Sequence, residues 1–385
     1  MKKKSLIVLA LLIPSLVKAD DDLKSSMFNP EYTAVTSQSI APDARGGSLG
    51  DTGAATDADV NSQYWNVAKY PFCISRAGVA LSYTPWLRSL VNDIYLGYLA
   101  GYYRLGEYAA LSASLRYFSL GEVFMSSSDN MSINPYEMSL DVGASMMLSE
   151  KFSLGVAVRW IYSDLTYDYT SDTSPGSAFA ADLGFYYQSY PRIGSRECQL
   201  GLGLCFSNIG SKIRFGGVDY SEFIPANLRL GASLTIPIDE YNKIMLTADA
   251  NKYLVPTIPQ QEDGEADADY QARLQEYREM SSITGIFKSF TDAPGGFSEE
   301  LREIRLSGGA EYTYNDKFSI RAGYHHQDAT KGNLKYFTVG AGFKMSVFAL
   351  DVNYLIATTN TNPLDKTLRF SLSFDMDGIK DLFKR

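Results

Sequence analysis

Residues Ala41 to Phe72 read APDARGGSLGDTGAATDADVNSQYWNVAKYPF. Gly46, Gly47, Gly50 and Gly53 stand among Ala, Ser and Thr, and nothing apolar recurs at the period of a strand or a helix. Such a stretch buries too little apolar surface to order itself. Its small side chains do let the backbone approach a wall closely. The question is whether the rest of the chain supplies that wall.

From Arg76 onward the sequence alternates. Val79, Leu81 and Tyr83 share one face, and Ile94, Leu96, Tyr98, Ala100 and Tyr102 read as the apolar face of a second strand. The same alternation runs through Ala109–Tyr117, Met138–Met146, Leu154–Tyr162, Phe179–Tyr187 and Leu200–Phe206. It continues in Leu228–Ile236, Ile244–Ala250, Ile304–Tyr312, Phe318–Tyr324 and Phe337–Phe343, then Phe348–Tyr354 and Leu368–Phe374. The pattern predicts an all-β chain of about fourteen strands, each near the nine to eleven residues that cross a bilayer.

The opposite parity separates a soluble sandwich from a membrane barrel. Arg116, Asp141, Arg159, Asp182, Arg229, Asp249, Arg305, Arg321, Asp351 and Arg369 all lie opposite the apolar set. A cation facing lipid at mid-bilayer costs about 2–4 kcal/mol, so in a barrel these groups face the lumen. Gly97, Gly143, Gly155, Gly184, Gly201, Gly231, Gly309, Gly323 and Gly340 are read as inward too, leaving room for a plug. Short links near Leu105, Ser149, Asp239, Asn315 and Lys344 alternate with long ones, as turns and outer loops of a transmembrane barrel do. Tyr83, Trp86, Trp160, Tyr162, Tyr187 and Tyr354 read as interfacial girdle residues. The expectation is a closed transmembrane antiparallel β-barrel with an N-terminal hatch in its lumen.

The wording of the opening stretch, PDARGGSLGDTGAAT followed by DVNSQYWN-x-AKYPF, resembles the hatch of the PorV family, FadL/OmpP1-like outer-membrane barrels of the Bacteroidota type IX secretion system. The motif residues are Asp43, Arg45, Gly46, Gly47, Gly50, Trp65 and Asn66, although Val67 stands where FadL relatives carry proline. The resemblance implies a non-enzymatic shuttle in the outer membrane of a Gram-negative bacterium. It implies binding of cargo through a C-terminal signal domain at a SprA/Sov-like translocon barrel. Delivery to the sortase PorU, with PorZ and PorQ, at a surface lipopolysaccharide attachment complex is implied as well. Two alternatives stay open: a FadL-type transporter of long-chain fatty acids or other hydrophobic solutes, and an outer-membrane lipid deacylase.

Before the hatch, Lys2–Lys4 and the apolar run Ser5–Val17 read as a signal peptide cleaved after Ala19. The expected division is signal peptide 1–19, N-terminal segment and hatch 20–75, barrel 76–374 with a long outer loop 254–302, and periplasmic tail 375–385. Loss of four lysines takes the net charge from -9 to -13, which argues against nucleic acid as a partner. Cys198 and Cys205, seven residues apart along a strand and so roughly 23 Å, cannot bridge, and Cys73 has no evident partner.

No cofactor and no catalytic or metal-binding residue is expected. His325 and His326 are neighbours on alternate faces, without a ligand cluster. Ser307 and Ser319 have inward parity, leaving His326 without a serine on the lipid side. The lumen charges are expected to pair with each other and with hatch groups, Arg45 near a lumen Asp and Asp43 near a lumen Arg. In the long loop, Tyr270, Leu274, Tyr277, Met280 and Phe287 follow a helical period, and Tyr270, Leu274, Tyr277 and Phe287 are the candidates for contact with a partner.

Overall fold

In the computed structural model, residues 28–377 are described, apart from 89–90, 127–130, 166–173, 262–263, 359–361 and 363. The expected signal peptide and most of the C-terminal tail lie outside the described residues. Fourteen antiparallel strands form one closed barrel. They are β1 Ala77–Pro85, β2 Tyr95–Arg104, β3 Ala109–Ser119, β4 Tyr136–Ser149, β5 Phe152–Asp164, β6 Gly176–Ser189 and β7 Gln199–Gly210. The second half comprises β8 Asn227–Pro237, β9 Asn242–Tyr253, β10 Arg305–Tyr314, β11 Phe318–His326, β12 Lys335–Lys344, β13 Phe348–Ala357 and β14 Leu368–Asp375. Neighbours in sequence are neighbours in the sheet, and β1 pairs with β14 through a register that sets Leu81 opposite Leu372. Closure leaves the barrel sheet without an unpaired edge. Among the described residues no helix is long and apolar enough to cross a membrane.

Alternation sorts the side chains as lipid and lumen require. Val142, Val158, Phe179, Leu230, Ile320 and Phe337 are exposed on the outside, whereas Arg116, Asp141, Arg159, Asp182, Asp249, Arg321 and Arg369 are buried within. Arg229, Arg305 and Asp351 share that inner parity and are half-buried. A tyrosine row crosses five consecutive strands outside, Tyr83, Tyr95, Tyr117, Tyr136 and Tyr162, with neighbouring ring centroids 5.5–6.2 Å apart.

One strand is inverted relative to the sequence reading. Leu96, Tyr98, Ala100 and Tyr102 of β2 are buried in the lumen, and Gly97 faces outward, where an added Cβ meets only a backbone oxygen at 3.8 Å. Both parities of β2 are apolar along its span, and its one charge, Arg104 at the last position, sits at the strand end and does not by itself orient the span. The neighbour does: Tyr98 is directly opposite Arg116 on β3, and cross-strand partners share a face. The lumen is apolar on this arc because the apolar part of the hatch meets it. Tyr70 stacks on Tyr102 at 5.1 Å, and Ile40 packs with Leu96 and Phe118. Trp86 also departs from its expected girdle position and packs beside that cluster.

Inside the barrel, two short helices, α1 Ala44–Ser48 and α2 Ser62–Trp65, and a 3-10 turn Val67–Phe72 make up the hatch. Long connections gather at one end of the barrel. There the largest holds α3 Asp267–Glu279, α4 Ser282–Lys288 and α5 Phe297–Arg302. The segment before the hatch, a strap from Asn29 to Ile40, lies at this same end: Asn29 N–H donates to Thr330 O and Ala34 N–H to Phe223 O. The hatch leaves by the other end, where Cys73–Ser75 lead into β1 and Ser75 bonds Asp375. The chain thus runs through the lumen from the long-loop end to the short-turn end.

Candidate functional site: the hatch, the vestibule above it and the long loop

The motif residues build the hatch by mutual contact. Asp43 caps α1, its Oδ2 accepting from Gly46 N–H at 2.8 Å, while Oδ1 accepts from Trp65 Nε1 at 2.6 Å. One buried carboxylate therefore staples both ends of the motif, and among the described residues Asp43 forms no ion pair with a lumen arginine. Trp65 lies against Gly46, where an added Cβ would sit 2.3 Å from its ring. Asn66 donates from Nδ2 to Ala54 O and to Phe185 O of the wall, and its Oδ1 accepts from Ala68 N–H. That side chain joins both halves of the hatch to β6, and Val67 in place of proline packs in the apolar cluster with Tyr70 and Tyr102.

Gly50 seats the hatch on β10 and β11. Its φ is +76°, and a Cβ would come within 2.6 Å of Tyr324 O and 2.9 Å of Gly308 O. Both the backbone sign and the close approach select glycine. Across the seam, Gly309 and Gly323 of the wall leave space for Leu49 and Gly50. Gly47 makes room in the same way for the Arg369 guanidinium.

Ion pairs then tie hatch to wall. Arg45 bonds Asp59 of the hatch at 2.9 Å and Glu311 of β10 at 3.3 Å, so its wall partner is a glutamate and not the expected aspartate. Glu311 is shared with Arg321, which bonds Asp351 at 2.6 Å. Asp51 takes Arg369 at 2.9 Å. Asp249 Oδ2 accepts the Gly53 and Ala54 N–H groups at 2.9 and 3.0 Å. Within the wall, Arg159 is held between Asp141 and Asp182 at 2.6 and 3.0 Å. Arg116 donates instead to the strap carbonyls of Ser37 and Ile40. The sequence reading passed over Glu311, although it shares parity with Arg305, Ser307 and Gly309. It also passed over Lys69, fully buried in the hatch and bonded to Gly53 O and Thr56 Oγ1.

Above the hatch, at the long-loop end, lies a vestibule of about 500 Å³. Strap residues, Tyr64 and Trp65 of the hatch, Trp86, Arg229 and Arg305 are among its lining. Lys331 beside it is buried and bonds Glu299 at 2.6 Å and Glu303 at 2.9 Å. Burial alone would lower this ammonium's pKa, but the two carboxylates reverse the shift and raise it. Ser307 and His325 face inward and are hydrogen-bonded, Oγ to Nδ1, at 2.8 Å, and the imidazole stacks on Tyr336 at 4.8 Å. His326 instead lies by Tyr324 on the outer parity, 3.4 Å from its hydroxyl. Among the described residues no group of three or more His, Cys, Asp or Glu side chains is set to hold a metal. Cys73, Cys198 and Cys205 are buried free thiols.

The long loop divides its candidates. Met280 ends α3, so Phe287 belongs to a second helix. Leu274 is buried and Tyr277 packs on Phe223 at 5.4 Å, whereas Tyr270 is half-buried. Phe287 is 72% exposed, as are Ile283 at 68% and Phe297 at 77%. Tyr277 of α3 thus ties this loop to Phe223 of the neighbouring connection, whereas Ile283 and Phe287 of α4 and Phe297 of α5 are turned out.

The family model for the type IX secretion system protein PorV matches residues 28–261, which spans the hatch and the barrel through β9. The chain belongs to the PorV family. This makes it an outer-membrane component of type IX secretion. No curated protein is significantly similar. Among solved structures, a TodX monoaromatic hydrocarbon channel mutant is similar at 13% identity and TM-score 0.51, covering 86% of this chain and 98% of its own. The Ralstonia pickettii toluene transporter TbuX is similar at 13% identity and TM-score 0.46, over 87% and 96% of the two chains. A Pseudomonas aeruginosa FadL homologue shows 11% identity and TM-score 0.41 over 87% and 99%. At these identities the TodX likeness carries the FadL-like fold, and the function rests on the PorV family.

Proposed function

We propose that this PorV-family barrel is a non-enzymatic adaptor, which binds cargo bearing a C-terminal signal domain at the translocon barrel. It delivers that cargo to the surface sortase PorU and its attachment partners PorZ and PorQ. The observation that carries the reading is the plugged lumen. Arg45, Asp51, Asn66 and Gly50 each fasten the hatch to the wall, and a barrel filled this way acts through its outer surface. Phe287 and Phe297, exposed on the long loop, supply apolar anchors of the kind that interfaces use. We read the domain plan in the same terms: hatch as lock, barrel as anchor in lipid and lipopolysaccharide, loop as recognition surface.

The test is recovery of the tagged barrel from native outer membranes in mild detergent, with its partners identified by mass spectrometry. Co-recovery of a very large translocon barrel, a sortase and proteins sharing one C-terminal domain is the expected result. A barrel recovered alone with bound fatty acid would replace the adaptor by a solute transporter. That second reading is favoured by one observation, the vestibule with its aromatic lining. For the hydrolase alternative, the Ser307–His325 pair lies in the lumen against the hatch and not on the lipid side. Ser307→Ala is expected to leave secretion intact.

A further inference from the structure

Most cations that enter the lumen or the loops above it meet a carboxylate: Arg45, Arg159, Arg321, Arg369, Lys252 and Lys331 all do. Arg229 and Arg305, which line the vestibule, have none within 4.0 Å among the described residues. Arg229 donates from Nε to Asn251 Oδ1 at 2.7 Å, and its guanidinium lies 4.8 Å from the Trp65 ring and 5.3 Å from Tyr64. Arg305 donates from Nη2 to Asn227 Oδ1 at 3.1 Å and lies 3.5 Å over Tyr253, with Nε buried and unpartnered.

Register brings the two together. Arg229 is opposite Asn251 and Asn251 is opposite Arg305, so the arginines occupy one row on β8 and β10. Two strand spacings separate their backbones by about 10 Å. Stacking on aromatic faces leaves the edges of each guanidinium open, so the N–H donors not used by Asn251 and Asn227 can meet acceptors in plane. Withdrawing two such cations from water without a counter-charge is costly, and an oxyanion removes that cost. Opposite them, the strap brings in Glu31, whose two carboxylate oxygens are buried without any donor.

We propose that the vestibule is an oxyanion site, in which Arg229 and Arg305 grip the carboxylate or phosphate group of a small ligand. Glu31 is the chain's own carboxylate, against which that ligand competes. The ligand enters from the long-loop end and stays there, since the Gly50 seam closes the floor. Ile40, Trp86, Leu87 and Phe118 supply an adjoining apolar wall for any short tail. The site does not depend on the adaptor reading.

Its test uses the purified full-length barrel in neutral detergent, titrated with inorganic phosphate and separately with decanoate. The readout is tryptophan fluorescence, because Trp65 and Trp86 both line the cavity. A saturable change with at least one probe is expected, weakened at least about tenfold in Arg229→Gln and Arg305→Gln. Binding should tighten in Glu31→Gln, which removes the competing charge. Saturation by phosphate alone identifies a free oxyanion, and by decanoate alone a lipid-type carboxylate. No saturable response to either probe, or equal affinity in wild type and both arginine variants, overturns the proposal. Should the arginine variants fail to fold, unchanged or weaker binding in Glu31→Gln overturns it.

Discussion

Glu311 shows how much one lumen side chain can carry. It accepts from Arg45 of the hatch and from Arg321 of the wall, so Glu311→Gln takes one of two carboxylate partners from each, leaving Arg45 with Asp59 and Arg321 with Asp351. Breaking a buried pair costs about 3–5 kcal/mol. Because each arginine keeps one carboxylate, we expect a loss below that figure, seen as a lower urea midpoint in detergent micelles, with Glu311→Asp recovering part of it. Glu31 works in the opposite sense. Burial pushes its carboxyl up to about 7, with Arg305 pulling it down. An acid whose folded pKa exceeds its unfolded one stabilises the fold while protonated. This contribution is full below about 4.5 and is lost as pH rises through 7. Glu31→Gln should therefore flatten the thermal stability profile between those values. These residues differ in legibility: Glu311 announces itself by strand parity, whereas Glu31 sits in a strap with no period to read.

The strands were the most legible elements, because lipid outside and a charged plug inside impose opposite chemistry on alternate residues. β2 is the instructive exception. Its parity is set by Arg116 on the next strand and by Tyr70 of the hatch, neither of which a single-strand reading consults. The long loop was legible as helical but not in its break at Met280, where one face is handed from barrel to solvent. This division makes a prediction. Phe287→Ser and Phe297→Ser should change stability by less than about 0.5 kcal/mol while reducing co-recovery of partner proteins. Leu274→Ala, inside the loop, should cost about 2–3 kcal/mol and loosen the loop itself, which limited proteolysis would detect.

At the scale of the whole molecule, the hatch motif foretold a plug and the periodicity foretold its container. Their fastenings were less visible, since contacts such as Asp51 with Arg369 span nearly the entire chain. If the Gly50 seam closes the lumen, the intact barrel in a planar bilayer should conduct almost no current. Gly50→Val, strained at positive φ and pressed on β10 and β11, should give discrete openings and sensitise cells to vancomycin. Silence in that variant would place the seal elsewhere in the hatch.

The strap at one end and β1 at the other mean that the chain threads a ring which its own last strand completes. β14 cannot zip to β1 ahead of the thread without leaving the strap on the wrong side. The N-terminal segment therefore enters either before this seam closes or through the finished ring. Once the seam shuts, Arg369 and Ser371 of β14 lie against the hatch, so the barrel's last strand bolts in the segment that precedes its first.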